Sequence, residues 1–382
     1  MRIIHYCLSS FYIDGMNYQE NALIREHVKA GHEVLVIAST ENQGPDKTII
    51  YDEPREYIGD EGARVIRLPY IGFPHALARK LRIHPRVYKI TEEFKPDAAL
   101  FHSMCGWELL TVAKYKRRNP KLILYADSHE DRHNSGRSFL SLEILHKRYY
   151  APIAKRASKH LKKVLCINVS AMEFMRDVYK LPEDKLEFFP LAGEPLSLAH
   201  IAKTRTKTRK ALGIDNDKIV MVQSGKQTKR KKLIESLNAF AKIDDPNIEL
   251  LIIGVLFEDI KAEAEALIAK DARVTFLGWK TPEELTDILC AADIYLQPGT
   301  QSATMQNSLC AGCAVILDDV PSHAPYFVDN GWRVNSSQKL ETIFADIRKK
   351  SAELPTMMQN SNDLAHKLLD YSVQAERVLQ SQ

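Results

Sequence analysis

The sequence contains no apolar run long enough to cross a membrane as a helix. Its longest apolar runs, such as residues 250–256, fall far short of the roughly 20 residues that a spanning helix requires. Residues 1–6 resemble a first β-strand, and the apolar segment of a secretory signal does not follow them. We therefore expect a cytoplasmic protein. Internal repeats and low-complexity tracts are also missing, and 45% hydrophobic residues argue against a disordered chain.

The 382 residues include only six cysteines, and their scattered positions do not form a disulfide framework. Only Cys310 and Cys313, separated by Ala-Gly, have the spacing of a pair of metal ligands. A structural zinc site needs a second pair, which the sequence does not offer. We interpret the cysteines as small core residues and predict no metal site.

Charge of one sign is not in large excess, since 53 basic and 49 acidic residues leave a formal net charge of +4. No stretch interleaves aromatic with basic residues as nucleic-acid platforms do, so no nucleic-acid partner is predicted. Basic clusters at 79–82, 114–118 and 155–163 all lie in the first half of the chain. They are either solvated helix faces or a surface that touches anionic lipid at the inner membrane face or a lipid-linked phosphate.

The chain is longer than one hydrophobic core usually supports, so two domains are predicted. Short apolar runs alternate with longer amphipathic stretches, which is typical of parallel sheets covered by helices. The predicted strands of the first half are 2–8, 33–38, 64–68, 98–101, 122–126 and 164–167. Those of the second half are 219–222, 249–253, 274–277, 294–296 and 314–317.

A polar segment rich in Lys and Thr, residues 200–210, is interpreted as the join between the two halves. The predicted fold class is α/β, with two Rossmann-like, doubly wound domains facing each other across a cleft. The first domain is predicted to span 1–197 and the second 198–365. Residues 366–382 are predicted to form a C-terminal helix that packs back on the first domain.

Cations are concentrated after the first predicted strand of the second half. Gly225 is followed by five Lys and Arg residues within 226–232. Cations at a helix start oppose the helix dipole, so an anionic ligand explains them better than a merely basic helix start does. Ligands of open α/β sheets bind beyond the carboxyl ends of the strands, and a diphosphate matches Lys, Arg and backbone N–H groups.

A second element suited to an anion follows the strand predicted at 294–296. Gln-Pro-Gly-Thr-Gln-Ser-Ala-Thr at 297–304 leads into a helix, and Ser302 is the predicted N-cap. The N–H groups of Ser302, Ala303 and Thr304 would then face an anion. Two such elements in one half of the chain suit a nucleoside diphosphate.

Two histidines of the first half follow predicted strands. His102 comes directly after the strand at 98–101, and His129 lies in Asp-Ser-His-Glu-Asp at 127–131. A single histidine is more often structural, but two at strand ends of one domain favour a site. The residues alone predict a nucleotide-dependent transferase and no more than that.

These residues also carry a family resemblance that extends over nearly the whole chain. The sequence resembles family 4 of the retaining glycosyltransferases, a GT-B group that builds bacterial surface polysaccharides such as lipopolysaccharide. The segments that carry the resemblance, in family order, are Gly-Met-Asn-Tyr-Gln-Glu-Asn at 15–21, Gly-His-Glu-Val at 31–34, Gly-Lys at 225–226, Lys231, Ala-Phe-Ala-Lys at 239–242, Leu-Ile-Ile-Gly at 251–254, Phe-Leu-Gly at 276–278, Ala-Asp-Ile-Tyr-Leu-Gln-Pro at 292–298 and Cys-Ala-Gly-Cys-Ala-Val-Ile at 310–316. Each motif is weak alone, and together they are specific because they occur in order.

The resemblance implies roles for residues of the second half. Lys226 and Lys231 match the arginine and lysine that neutralise the donor diphosphate, and Gly225 precedes them. Trp279 and Lys280 match the segment whose backbone meets the base. The implied donor is a UDP- or GDP-linked sugar bound as substrate, with no cofactor.

The resemblance implies further roles in the first half. His129 matches the histidine near the transferred sugar, and Gly15 matches the loop that approaches the phosphates. Asn17 and Tyr18 follow that glycine. Three residues at the predicted strand ends are placed on the sugar or acceptor side: His102, Asp127 and Glu130.

The sequence departs from the family pattern at one pair of positions. The family usually has two glutamates eight residues apart, and here those positions are Gly299 and Asn307. Asn307 has donor and acceptor atoms for ribose hydroxyls, and Gln301 is a candidate substitute for the first glutamate. The departure keeps open a non-catalytic GT-B module that binds nucleotide or glycan, or scaffolds a partner.

The mechanism implied is that of a hexosyltransferase that retains anomeric configuration and needs no metal. No Asp-x-Asp triplet follows a predicted strand, in agreement with cations stabilising the leaving diphosphate. The acidic and histidine residues at 127–131 also keep open a GT-B sugar-nucleotide epimerase, which needs acid and base groups. The implied acceptor is a glycan or a lipid-linked glycan.

Overall fold

A computed structural model describes residues 1–44, 48–72, 74–132, 134–300 and 302–380. The chain divides into two compact units. Unit 1 comprises residues 1–191 and 371–382, and unit 2 comprises residues 192–370. The first division thus precedes the predicted bound at 197, and the second follows the predicted bound at 365.

Unit 1 is built on a sheet whose described strands have the order β10-β9-β8-β7-β1-β2-β6-β5. All neighbours are parallel except β5, which runs antiparallel to β6, and β3 and β4 form a separate antiparallel pair. The strands are β1 (Arg2–Cys7), β2 (Glu33–Ser39), β3 (Glu41–Gln43), β4 (Ile49–Tyr51), β5 (Glu56–Ile58), β6 (Arg64–Leu68), β7 (Ala98–Phe101), β8 (Ile123–Ser128), β9 (Val164–Cys166) and β10 (Leu186–Phe188).

The helices of unit 1 cover this sheet because its central strands are apolar and buried on both faces. They are α1 (Gln19–Lys29), α2 (His75–Leu81), α3 (Val87–Phe94), α4 (Glu108–Arg118), a π-helical segment (Leu140–Tyr150), α5 (Ala151–Ser158), α6 (Val169–Asp177) and the C-terminal α14 (Tyr371–Arg377). Helix α14 packs against α1, and Gln374 Nε2 donates a hydrogen bond to the carbonyl of Pro190 at 2.9 Å.

Unit 2 is built on a parallel sheet with the order β13-β12-β11-β14-β15-β16 among its described residues. Its strands are β11 (Ile219–Gln227), β12 (Ile248–Leu256), β13 (Val274–Gly278), β14 (Ile294–Gln297), β15 (Ala314–Asp318) and β16 (Gly331–Val334). The chain order reverses between β11 and β14, as in dinucleotide-binding folds.

The helices of unit 2 are α7 (Leu198–Leu212), α8 (Leu233–Phe240), α9 (Lys261–Ile268), α10 (Pro282–Ala291), α11 (Ala303–Cys310), α12 (Ser337–Asp346) and α13 (Leu354–Leu368). Residues at the helix starts stabilise several of these helices. Thr281 and Glu284 form a reciprocal capping box at the start of α10, with Pro282 at its first position. Within the described ranges, no helix is long and apolar enough to cross a membrane. The two sheets of parallel strands confirm the predicted α/β class.

The prediction that residues 200–210 form a polar join is wrong. They lie inside α7, which begins after Ser197, whose side chain accepts the N–H of His200, and which ends at Gly213. Ile201 and Arg209 lie on its buried face, and Arg209 is 1% exposed. The Arg209 guanidinium donates to Asp293 at 2.7 Å and to the carbonyl of Ala291 at 2.9 Å. Because the buried face of the helix is partly polar, the hydrophobic pattern of the sequence did not indicate a helix here.

Strand β11 is also longer than predicted. The ladder with β12 continues to Gln227, which is paired with Leu256. Gly225 and Lys226 therefore belong to the strand and not to a loop or a helix start. The turn rich in cations begins later, as a single 3₁₀ turn over Lys229–Lys231, and α8 follows at Leu233.

Candidate active site

The candidate donor site of unit 2 lies where the chain order of its sheet reverses. The turn that follows β11 and the loop that follows β14 come from neighbouring strands, whose carboxyl ends meet at one edge of the sheet. Crevices at such reversals are where open α/β sheets bind ligands. Residues 228–232 and 298–300 are therefore adjacent, although Lys231 and Thr300 are 69 positions apart.

Lys231 links the two segments. Its Nζ donates a hydrogen bond to the carbonyl of Thr300 at 2.6 Å, and the N–H of Thr300 donates to the carbonyl of Arg230 at 3.1 Å. Burial, with a smaller effect from the charge of Arg230, lowers the pKa of Lys231 to about 8. An ammonium group kept partly out of water gains more than an exposed one from an arriving diphosphate.

Gly299 lies between these hydrogen bonds and permits the contact. A Cβ at this position would lie 2.2 Å from the carbonyl oxygen of Arg230 and 3.0 Å from Cα of Lys231. Those neighbours are backbone atoms, which cannot rotate away. The glutamate that the family usually has at this position is therefore incompatible with the observed path of the loop.

Hydroxyl groups surround the start of α11. Ser302 Oγ donates to Gln297 Oε1 at 2.8 Å, and Tyr295 OH and Thr304 Oγ1 are 2.8 Å apart. Ser302 is the N-cap residue, as predicted, but its side chain makes no capping hydrogen bond. Among the described residues the first N–H groups of the helix, on Ala303 and Thr304, have no acceptor, so they are available to a ligand. The candidate Gln301 lies outside the described residues.

Two glutamines that the sequence analysis did not single out face the turn of cations. Gln223 Nε2 donates to the carbonyl of Lys231 at 3.0 Å, and both Gln223 and Gln227 are buried. Gln223 Oε1 and Gln227 Nε2 have no hydrogen-bond partner among the described residues. Two buried amides four residues apart in one strand were the available signal, since buried amides need partners.

The other predicted donor residues lie at the same edge of the sheet or beside it. Lys226 is exposed and is paired with Val255. A Cβ on Gly225 would lie 4.0 Å from Thr304 Oγ1. Trp279, directly after β13, is 67% exposed, and Lys280 beside it is half-buried. The remaining candidate, Asn307, is half-buried on α11.

In unit 1, the structure brings together His102 and Asp127, which follow and end neighbouring strands. His102 Nδ1 lies 2.5 Å from Asp127 Oδ2, and both side chains are buried. The N–H of Ser103 donates to Asp127 Oδ1 at 2.6 Å. Burial alone would raise the pKa of Asp127, but the charge and hydrogen bond of His102 outweigh it and the net shift is downward.

Glu130 and His129 lie beside this pair. Glu130 is buried and accepts hydrogen bonds from the hydroxyls of Ser103 and Ser128. His129 Nε2 lies 3.9 Å from Asp127 Oδ1 and has no hydrogen-bond partner within the described part of the chain. Four carboxylate and imidazole groups from two strand ends thus form one cluster.

The glycine loop of unit 1 is held by residues that the sequence analysis missed. Buried Arg67 donates to the carbonyl of Tyr12 at 3.0 Å, and Tyr57 OH donates to Asp14 at 2.7 Å. The candidates Gly15, Asn17 and Tyr18 follow in this loop and are exposed. A single Arg within a strand gave no signal, because its partners are backbone carbonyls and the side chains of Asp14, Asp52 and Tyr57, which lie elsewhere in the sequence.

The six cysteines are free and buried. Among the described residues, no group of three or more His, Cys, Asp or Glu side chains is arranged to hold a metal ion.

Two family profiles match the chain. The profile described as glycosyl transferases group 1 matches residues 204–360, in unit 2. The profile described as glycosyltransferase family 4 matches residues 13–192, almost all of it unit 1. The chain belongs to glycosyltransferase family 4. This confirms the resemblance noted in the sequence and makes the protein a glycosyltransferase.

Three solved structures illustrate the likeness in fold, and two of them are described as glycosyltransferases of lipopolysaccharide. HepE from Anabaena, in complex with UDP, is 14% identical with a TM-score of 0.62, over 99% of this chain and 98% of that chain. WaaG, a glycosyltransferase involved in lipopolysaccharide biosynthesis, is 17% identical with a TM-score of 0.56, over 99% and 98%. The lipopolysaccharide outer core galactosyltransferase WaaB is 13% identical with a TM-score of 0.61, over 99% of both chains. No curated protein matches the sequence. At these identities the likeness concerns the GT-B fold.

Proposed function

We propose that this glycosyltransferase transfers a hexose from a UDP- or GDP-linked donor to a glycan or lipid-linked acceptor of a surface polysaccharide. We propose further that it retains the anomeric configuration and needs no metal ion. The observation that carries the proposal is the desolvated Lys231, held by Thr300 beside the open start of α11. HepE, of similar fold, was solved with UDP and with UDP-glucose, which supports a nucleotide-sugar donor.

Charge grows on the diphosphate as the bond between sugar and phosphate breaks. In the proposed mechanism Lys231 and Lys226 supply positive charge, and the N–H groups of Ala303 and Thr304 supply hydrogen bonds. Groups that are already oriented for charge developing in the transition state are usually the largest catalytic contribution. Two lysines and a helix start would thus take the role that a divalent cation has in other transferases.

Residues of unit 1 are proposed to act on the sugar and the acceptor. The His129 ring is partly exposed, and its buried Nε2 faces the carboxylate of Asp127, so this carboxylate can orient the ring for contact with a sugar hydroxyl. The buried His102, Asp127 and Glu130 would orient it. The same cluster favours the epimerase alternative, which would release sugar or epimer in the absence of an acceptor.

We expect one nucleotide among UDP, GDP, ADP and CMP to raise the melting temperature of the protein by several degrees. Ligand at about 100 times its Kd adds about 2.7 kcal/mol to the free energy of unfolding. The measurement is a thermal shift with each nucleotide in the presence of EDTA, because metal-independent binding must survive chelation. A shift abolished by EDTA contradicts the metal-free proposal. No shift with any nucleotide favours the scaffold alternative.

One surface of unit 1 has the composition expected of a surface that binds anionic lipid. Phe139 and Leu140 are 74% and 72% exposed, and Arg148 lies two turns further along the same π-helical segment. The segment packs on α2, whose Leu77 is 50% exposed and which carries Arg79 in its last turn. Exposed apolar side chains, with cations on the same segment and on the helix it packs against, suit the boundary between lipid headgroups and acyl chains. We propose that this surface places the active site near a lipid-linked acceptor.

Replacing both Phe139 and Leu140 by serine is expected to lower binding to anionic liposomes at least about tenfold, because each apolar side chain contributes about 1.5–3 kcal/mol on burial. Flotation with phosphatidylglycerol and with phosphatidylcholine vesicles measures the effect. The matched control is Ile58→Ser, which removes a side chain that is 69% exposed in β5. Equal flotation of the double variant and the wild type would refute the proposed surface.

A further inference from the structure

Three buried histidines of unit 1 form a continuous chain of hydrogen bonds. His27 of α1 lies with its Nε2 2.9 Å from the carbonyl oxygen of Ala375 in α14. Its Nδ1 is 2.9 Å from His5 Nε2, and His5 Nδ1 is 3.0 Å from His102 Nε2. His102 Nδ1 lies 2.5 Å from Asp127 Oδ2. The three histidines are at most 1% exposed, so water does not interrupt the chain.

The two ends of this chain fix its number of protons. A backbone carbonyl only accepts hydrogen bonds, and so does a carboxylate. Four links join the carbonyl of Ala375 through His27, His5 and His102 to Asp127, and each link needs one hydrogen atom. Three neutral imidazoles supply three hydrogen atoms. The fourth link therefore requires one additional proton.

The additional proton belongs at the end of the chain next to Asp127. The carbonyl of Ala375 requires the hydrogen of His27 on Nε2, and His27 Nδ1 then accepts from His5 Nε2. His5 Nδ1 accepts in turn from His102 Nε2. His102 must consequently donate from both nitrogens, and Asp127 is the charged group that compensates it.

We propose that His102 is held as an imidazolium paired with the carboxylate of Asp127, and that His5 and His27 are positioning residues that impose this state from α14. The ion pair fixes a carboxylate whose other oxygen accepts the N–H of Ser103 and faces His129 Nε2. A negative charge of fixed orientation then holds His129 in place. The C-terminal helix acts on the site through its backbone carbonyl.

The charges around the chain agree with this assignment. Burial lowers the pKa of His5 far below its usual range and that of His27 to about 4, so both are neutral. Burial also acts to lower the pKa of His102, but Asp127 and, more weakly, Glu20 of α1 raise it, and the net shift is upward. His102 is thus the member of the chain that holds a second proton.

The proton count is tested directly on the wild-type protein. Long-range ¹H–¹⁵N NMR of protein labelled with ¹⁵N-histidine reports which ring nitrogens carry hydrogen, and His→Gln variants assign the signals. We expect hydrogen on both nitrogens of His102 at neutral pH, and on Nε2 alone of His5 and His27. A neutral His102 at pH 7, or hydrogen on Nδ1 of His5, overturns the proposal.

A pair of variants at position 27 separates the proton count from simple packing. In His27→Gln the amide Nε2 donates to Ala375 and Oε1 accepts from His5, so the count is preserved and His102 should stay charged. In His27→Ala the demand for the extra proton disappears, whether or not water fills the space. We expect the deprotonation midpoint of His102 to fall by about one pH unit or more. An unchanged midpoint in His27→Ala, with the fold intact by circular dichroism, refutes the role of α14.

The effect on sugar transfer rests on the proposed function, and its readout is separate. We expect His27→Ala to lower kcat several-fold with little change in the KM for the donor, and His27→Gln to restore kcat. Loss of kcat in both variants while NMR shows a charged His102 in His27→Gln would contradict the positioning role. Absence of transfer by the wild type would refute the proposed function and leave the NMR result standing.

Discussion

The variant Lys231→Ala is expected to lose sugar transfer by about 10²–10³-fold in kcat/KM, because one preorganised group beside the developing charge contributes about 3 kcal/mol. The side chain is desolvated and held by Thr300, so its ammonium is already in place when the diphosphate arrives. Initial rates with donor and acceptor measure the effect. Stability should change little, because the side chain lies in a turn and outside the buried apolar core.

The protonation of Lys231 gives the same prediction a pH signature. Its pKa of about 8 lies below the usual value for lysine, so the folded protein binds fewer protons than the unfolded chain between about pH 8 and 10.5. In that window the free energy of unfolding of the unliganded protein rises with pH. Binding of the diphosphate shows the opposite trend, because it needs the ammonium. Affinity should fall about tenfold between pH 7 and 9 in the wild type and stay flat in Lys231→Ala.

The matched control for Lys231→Ala is Lys270→Ala, which removes an exposed lysine of the same unit. We expect wild-type rates and wild-type pH dependence from it. Retention of more than about a tenth of the wild-type kcat/KM by Lys231→Ala would mean that this lysine contributes less than about 1.4 kcal/mol to the transition state. The assignment of Lys231 would then be wrong.

The second large effect is expected from Gly299→Ala. The added Cβ would lie 2.2 Å from the carbonyl oxygen of Arg230, so the loop after β14 must separate from the turn after β11. That separation breaks the hydrogen bonds of Thr300 with Arg230 and Lys231. Overpacking of this kind costs about 1–3 kcal/mol of folding stability. Nucleotide affinity should fall at least about tenfold, since a loss of about 1.4 kcal/mol in binding free energy raises the Kd tenfold.

Gly213→Ala separates the loss of the site from general destabilisation. Gly213 ends α7 with φ of 69°, and a Cβ there meets nothing within 4 Å. Its cost is that of left-handed backbone, about 1 kcal/mol, and we expect unchanged nucleotide affinity. Isothermal titration with the nucleotide found by thermal shift compares the two variants. Equal affinities in Gly299→Ala and Gly213→Ala would show that the contact of Gly299 with Arg230 does not support the site.

The replacement of the first family glutamate therefore has a structural reason. Gly299 allows two backbones to touch, and two buried glutamines are hydrogen-bonded to the same segments, Gln223 to the carbonyl of Lys231 and Gln297 to the carbonyl of Thr300. Buried glutamines of this kind bind neutral sugar hydroxyls by hydrogen bonds without the charge of a carboxylate. Asn307, at the second family position, is likewise an amide. We propose that the departure from the family pattern exchanges carboxylate groups for amide groups in a site that still binds a ligand.

The periodicity of hydrophobic residues was sufficient to predict the bounds of an element where the local pattern and the tertiary packing agree. Strands β6 and β7 have the predicted bounds, because short apolar runs between polar segments have few other solutions in a parallel sheet. The prediction failed for α7, whose buried face includes Thr204, Thr208 and Arg209, and Arg209 donates hydrogen bonds to Asp293 and to backbone carbonyls. Ser197 and Gly213 are typical residues for the start and end of a helix, but the polar composition of the segment between them favoured a linker instead.

The sequence by itself determined the α/β class, the family and the short list of site residues, because motifs and hydrophobic runs are local properties of the chain. Only the tertiary structure decided the surroundings of those residues. Desolvation of Lys231 depends on Thr300, and the conformation of Gly299 depends on Arg230, each across about seventy residues. His5, His27 and His102 come from β1, α1 and the end of β7, and Ala375 closes their chain from α14. Contacts between distant segments leave no periodic trace, so the protonation of His102 is a property of the fold.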